Sequence, residues 1–191
     1  MDILGKAATA FNRLLGIKYE IILGKKGKTT VFSVSFEKHE FYHIAGLQYL
    51  TDIRELKTDR AVLFDRIIKD DVFRQKILKS CFIEKITERI NQLINLEAFI
   101  DSNDTVFKYA EKANPYSKIR ADFLLMKKNI KFNLFLFLSY KQDSVCFCRS
   151  FFSDDRIDYS KNQITMKLLF KKKTFVSNPK EIILFDSISH S

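Results

Sequence analysis

Two of the chain's three histidines, His39 and His43, stand four residues apart. On a helix that spacing sets both side chains on one face. With an unperturbed pKa near ~6.5, an imidazole accepts or donates a proton at neutral pH, so His43 is the leading candidate for a general base or acid. The plain alternative is a helix histidine that bonds a backbone carbonyl and packs. For His39 the plain reading is a solvent-exposed helix residue, and His190 lies close to the C-terminus. Arg149 and Ser150 come next, within Phe147-Cys148-Arg149-Ser150-Phe151-Phe152. An arginine between phenylalanines suits a phosphate clamp ringed by stacking surfaces, as single-stranded RNA would need; otherwise it is an outer-face residue whose stem covers the rings. Strand alternation sends Cys148, Ser150 and Phe152 to one face and Phe147, Arg149 and Phe151 to the other. Arg149 and Ser150 therefore share a site only if a bulge intervenes.

Substrate-binding candidates are Tyr109, Lys112, Ser117 and Arg120. Lys112, Asn114 and Ser117 precede Ile119 at a strand-to-loop junction, where a rigid scaffold presents binding groups. Their plain readings are a solvated lysine, a turn asparagine before proline and a turn serine. Lys171-Lys172-Lys173 reads as a charged strand edge that resists edge-to-edge pairing, or as a phosphate track. The loop Gly24-Lys25-Lys26-Gly27-Lys28 lacks the spacing of a phosphate-binding P-loop, and no helix follows it.

Cys81, Cys146 and Cys148 form no C-x-x-C pair and no disulfide framework. With so few thiols and imidazoles neither a metal site nor a cofactor is expected, and a reducing cytoplasm is the expected compartment. Met1-Asp2-Ile3-Leu4-Gly5-Lys6 lacks the charged-then-apolar pattern of a signal peptide, and no apolar run is long enough for a transmembrane helix.

The elements that must position these residues follow from composition and period. At 191 residues, 46% hydrophobic, with 19 Phe, 5 Gly and 2 Pro, the chain is expected to be a single domain over 1–191, rich in regular structure. Net charge is +10 and uneven: residues 1–103 carry 17 basic and 14 acidic side chains, residues 104–191 carry 16 and 9. That imbalance suggests a polyanionic partner, nucleic acid before membrane; the plain alternative is a solvated basic surface. Residues 2–15 repeat apolar side chains at helical spacing, and 17–23 and 29–36 read as a hairpin around Gly24–Lys28. From 38 to 100 the pattern is helical, with helices over 41–50, 59–69, 72–79 and 82–96 and with Asp59 and Asp71 as N-caps. Beyond residue 104 it becomes strand-like, over 106–112, 119–127, 130–140, 145–152, 163–175 and 181–185. The fold class expected is α+β: a mainly helical N-terminal half (1–103, with its hairpin) packed on an antiparallel β-sheet formed by the C-terminal half (104–191).

Several strings together resemble a known family. They are Tyr42-His43-Ile44-Ala45-Gly46-Leu47 with Leu50 and Asp52; Phe107-x-Tyr109; Asn114-Pro115-x-Ser117-x-x-x-Ala121-Asp122-Phe123-Leu124-Leu125; and the Phe147–Phe152 run with Asp158-Tyr159. In this order, over roughly residues 17–175, the chain resembles the fourth family of phage-associated Barnase–EndoU–colicin–RelE-like nucleases. The resemblance implies a metal-independent endoribonuclease, a toxin or mobile-element effector, acting on RNA and countered by an immunity or antitoxin protein. Transesterification needs a base for the ribose 2′-OH, cations or hydroxyls around the phosphate, and an acid for the leaving 5′-oxygen. His43, Arg149 and Ser150 are the catalytic candidates. The alternative is a non-catalytic basic module of a phage or mobile element that binds nucleic acid or a host protein.

Overall fold

The computed structural model describes residues 2–102, 105–128, 132–154, 156–178 and 180–189; His190 and the first residues of the expected 130–140 strand lie outside them. Helix α1 (Ile3–Leu14) starts where the Asp2 carboxylate accepts the Gly5 N–H at 2.7 Å, and it buries Leu4, Ala7, Ala8, Phe11 and Leu14. Strands β1 (Ile17–Lys25) and β2 (Lys28–Val34) follow. Lys26 and Gly27 between them both have positive φ, the two-residue turn that matches the twist of a tight hairpin.

The stretch expected as one helix over 41–50 is broken. A 3-10 turn (Lys38–Glu40) runs into the short α2 (Phe41–Ile44), and another 3-10 turn covers Leu47–Tyr49. The break is at Gly46, whose φ of +80° lies where a Cβ is disfavoured. Helices α3 (Arg60–Lys69), α4 (Asp71–Leu78), α5 (Glu84–Leu93) and α6 (Leu96–Asp101) complete the helical part. Asp59 caps α3, accepting from Ala61 and Val62 N–H. The cap of α4 is Asp70, not Asp71, because it is Asp70 that accepts the Phe73 N–H.

The remaining strands are β3 (Thr105–Lys108), β4 (Phe123–Lys128), β5 (Asn133–Gln142), β6 (Val145–Asp154), β7 (Ile164–Phe175) and β8 (Glu181–Asp186). They do not form a separate antiparallel sheet under a helical half, as expected from the sequence. β1 pairs with β2 along one edge and with β7 along the other. The order β1-β2-β6-β5-β4-β3-β7 thus closes into a seven-strand barrel, and β8 adds outside on β7. One contact is parallel: Ser33 with Val145 and Val34 with Cys146, between β2 and β6. Closure has a physical motive. Ile17, Tyr19, Ile21 and Leu23 are all buried along one face of β1, and pairing on both sides removes the open edges a free hairpin would expose.

One face of the barrel shares a core with the helices; there Phe32 stacks on Phe123 at 4.3 Å and Phe99 of α6 meets Phe151 at 5.3 Å. The other face of β3–β6 carries a second cluster, including Phe107, Tyr109, Phe135, Phe137 and Tyr159. β5 is buried on both faces, which accounts for its unbroken apolar run. The lysine run is not an open edge, since β7 is paired on both sides. Lys171 and Lys173 are 1% and 6% exposed on the face they share with Tyr19 and Ile21. Lys171 donates to the backbone carbonyls of Ile100 and Ser102; Lys173 pairs with Asp101 and with Glu97 at 3.3 Å, and the Tyr19 hydroxyl donates to Asp101 at 2.9 Å. These lysines fasten the end of α6 to the barrel, so they do not track phosphates. Among the described residues no helix is long and apolar enough to cross a membrane.

Candidate active site

Helices α2 and α5 both pack against β6. Where they meet, flanked by residues 116–119 and by Asp154 and Tyr159, lies a cleft of about 720 Å³. His39, Glu40 and His43 enter it from the turn of α2, Gln48 and Tyr49 from the next turn, Arg60 from the start of α3, Arg89 from α5, and Arg149 and Ser150 from β6.

Strand geometry decides how β6 contributes. Leu138 of β5 faces Cys148, whereas its neighbour Phe137 faces Ser150, so Arg149 is an extra residue without a partner. This is a bulge centred on Arg149. It resets the alternation, so that Cys148 and Phe151 are buried in the main core while Arg149 and Ser150 both line the cleft. The facing expected from ideal alternation, with Phe151 beside Arg149, is thereby corrected.

His43 is exposed at the cleft, among cations. Desolvation first, then the charges of Arg60, Arg149 and His39, hold its pKa below the usual histidine value. Among the described residues its ring makes no hydrogen bond; its only ring contact is with Tyr42 at 5.2 Å. A neutral imidazole with a free nitrogen is a proton acceptor. Glu40, on the adjacent turn, is 5% exposed, and burial pushes its carboxyl up to about 7 even though it accepts the Glu37 N–H. At neutral pH this carboxyl is poised to hold or release a proton. Cys148 also lines the cleft, but burial pushes its thiol well up, so it supplies no thiolate.

The cleft's three arginines have no carboxylate partner among the described residues. Arg149 lies 5.9 Å over the Phe147 ring, Arg60 5.1 Å over Tyr42, and Arg89 5.2 Å over Phe152 and 5.8 Å over Tyr49. Aromatic faces hold these guanidiniums while leaving their N–H forks to an anion. Gly46 makes room for Arg89: a Cβ there would lie 3.1 Å from Arg89 Cδ and 2.9 Å from Ile86 Cγ2. The glycine in the Tyr42–Leu47 string thus both ends the histidine's helix and admits an arginine from α5.

The other sequence candidates separate. Ser117 lines the cleft, its hydroxyl accepting the Ile119 N–H at 3.1 Å. Asn114 Nδ2 donates to the Tyr159 carbonyl at 3.2 Å, tying together the two loops that flank the cleft. Tyr109 is buried in the second cluster, Lys112 is exposed on a 3-10 turn (Glu111–Ala113), and Arg120 points outward beside Glu111 at 4.0 Å. None of those three lines the cleft. Sequence reasoning missed Glu40, Gln48, Arg60 and Arg89. Only Arg89 carried a signal, an arginine three residues after Ile86 and beside Ile90 on the apolar stripe of α5. No group of three or more His, Cys, Asp or Glu side chains among the described residues could hold a metal ion.

A proton acceptor in one cleft with three guanidiniums that lack a carboxylate partner among the described residues is equipment for phosphate chemistry, and comparison with known families sets the class: this is a nuclease-family chain. The family model PBECR4, described as phage-Barnase-EndoU-ColicinE5/D-RelE like nuclease4, matches residues 3–187, and the chain belongs to that family. Neither the curated proteins nor the solved structures yield a match.

Proposed function

We propose that this protein is a metal-independent endoribonuclease that cleaves RNA by attack of the ribose 2′-hydroxyl on the adjacent phosphate. The observation that carries the reading is a histidine in one cleft with three arginines that have no carboxylate partner among the described residues. His43 takes the 2′-OH proton as the 2′-oxygen bonds to phosphorus. Arg149, with the Ser150 hydroxyl, bears the charge that builds on the non-bridging oxygens, and Arg60 and Arg89 receive the flanking phosphates. As the P–O5′ bond breaks, the 5′-oxygen takes a proton from Glu40, whose carboxyl titrates near neutrality. The products are a 2′,3′-cyclic phosphate and a free 5′-hydroxyl. The family's name supports a phage setting for such an effector; an immunity or antitoxin protein is the counterpart proposed for it.

The test is cleavage of RNA in excess EDTA. The wild type should yield 2′,3′-cyclic ends, and His43→Ala should lose about 10²–10⁴ in rate, as removal of a general base does, while still binding RNA. Intact RNA that is merely retarded would leave a non-catalytic binding module in place of the enzyme.

A further inference from the structure

Building on the ribonuclease reading, we infer that the cleft seats one unpaired nucleobase against Gln48, Tyr49 and Arg89, so that its substrate is RNA single-stranded at the cleavage point. Gln48 supplies the first observation. Gln48 lines the cleft, and its Oε1 is buried without a hydrogen-bond partner among the described residues. An orphaned buried acceptor has lost its water without a replacement bond, a cost that a ligand N–H seated there would relieve. A carboxamide offers a donor and an acceptor side by side, the pair that reads a base edge.

The walls supply the second. Tyr49 is 47% exposed in the cleft, and the Arg89 guanidinium lies against both the Tyr49 and Phe152 rings. Aromatic rings and arginine planes are the surfaces on which proteins stack unpaired bases. At the rim Tyr116 is 98% exposed, an aromatic face presented to whatever approaches. A base still paired and stacked in a duplex cannot reach the buried Gln48 amide without being flipped out. The catalytic groups need only the sugar–phosphate; the orphaned Gln48 amide has work only if a base enters as well.

The experiment uses the full chain and four short RNAs, made non-cleavable by a 2′-deoxy sugar at the scissile nucleotide, that differ only in the base beside it. Their dissociation constants are measured alone and annealed to a complement, for the wild type and for Gln48→Leu and Tyr49→Ala. The wild type should prefer one base, and pairing should weaken binding of that RNA by at least about tenfold. Gln48→Leu should shrink the spread between the four RNAs by about tenfold or more, the discrimination of one amide–base contact. Tyr49→Ala should weaken all four and abolish the quenching of 2-aminopurine placed at that position. Equal affinity for single strand and duplex, or an unchanged four-base spread in a folded Gln48→Leu, overturns the inference. Because binding is read without cleavage, these results stand apart from the EDTA assay: failure there with base-selective binding here removes the catalytic reading alone.

Discussion

If the unneutralised arginines are what receives the RNA, their number appears in the salt dependence of binding. Arg60, Arg89 and Arg149 line the cleft without a carboxylate partner among the described residues. Each phosphate neutralised on a single strand contributes about −0.7 to the slope of log K against log salt, so three contacts predict about −2. Between 50 and 200 mM salt the wild type should therefore lose about 20-fold in affinity for a non-cleavable single-stranded RNA. Arg149→Ala should lower the slope to about −1.4 and the loss to about sevenfold over the same range. Arg120→Ala serves as the control, because Arg120 is exposed, faces Glu111 and does not line the cleft; its slope should stay near that of the wild type. Fluorescence anisotropy at several salt concentrations gives the three slopes. A wild-type slope near zero, or an Arg149→Ala slope equal to the wild-type one, refutes the cleft as the polyanion receptor.

Three further outcomes follow from particular contacts. The Glu40 carboxyl is raised from 4.5 to about 7 by burial, so the folded state binds the extra proton. That contribution is complete below pH 4.5 and is lost as pH rises through 7, and Glu40→Gln should gain up to about 3 kcal/mol relative to wild type between pH 4.5 and 8, measured by urea melts; a constant difference would contradict it. Gly46→Ala must hold a Cβ at positive φ, a strain of about 1–2 kcal/mol, and must also displace the Arg89 stem, so both melting temperature and RNA affinity should fall, whereas an unchanged affinity would dissociate Gly46 from the site. Lys173→Met removes the buried cation shared by Asp101 and Glu97 and should lower stability by about 1.5–3 kcal/mol without altering the salt slope of RNA binding, a change in which would return the lysine run to the list of phosphate contacts.

Local chemistry by itself determined much of this molecule. The period of α1, the Gly27 turn of the hairpin, the Asp59 cap and the strand-like runs beyond residue 104 are signals read over a few residues, and the structure places elements close to each. The scarcity of histidine was enough to single out His43, and the arginine among phenylalanines to single out Arg149, both of which reach the cleft. What the tertiary structure alone decided is where distant segments meet. Closure of the barrel needs β1 to pair with β7 from the far end of the chain, and each strand's alternation is the same whether its edge is free or paired. The bulge at Arg149 exists only as a mismatch of register with β5, so ideal alternation sent Ser150 to the wrong face. Glu40 and Arg60 became visible as site groups only on folding, because desolvation and the lack of a carboxylate neighbour among the described residues are properties of what surrounds a side chain in space. The lysines of β7 make the same point in reverse: three successive cations read as a surface, yet two are buried under α6, where its terminal carbonyls and carboxylates hold them.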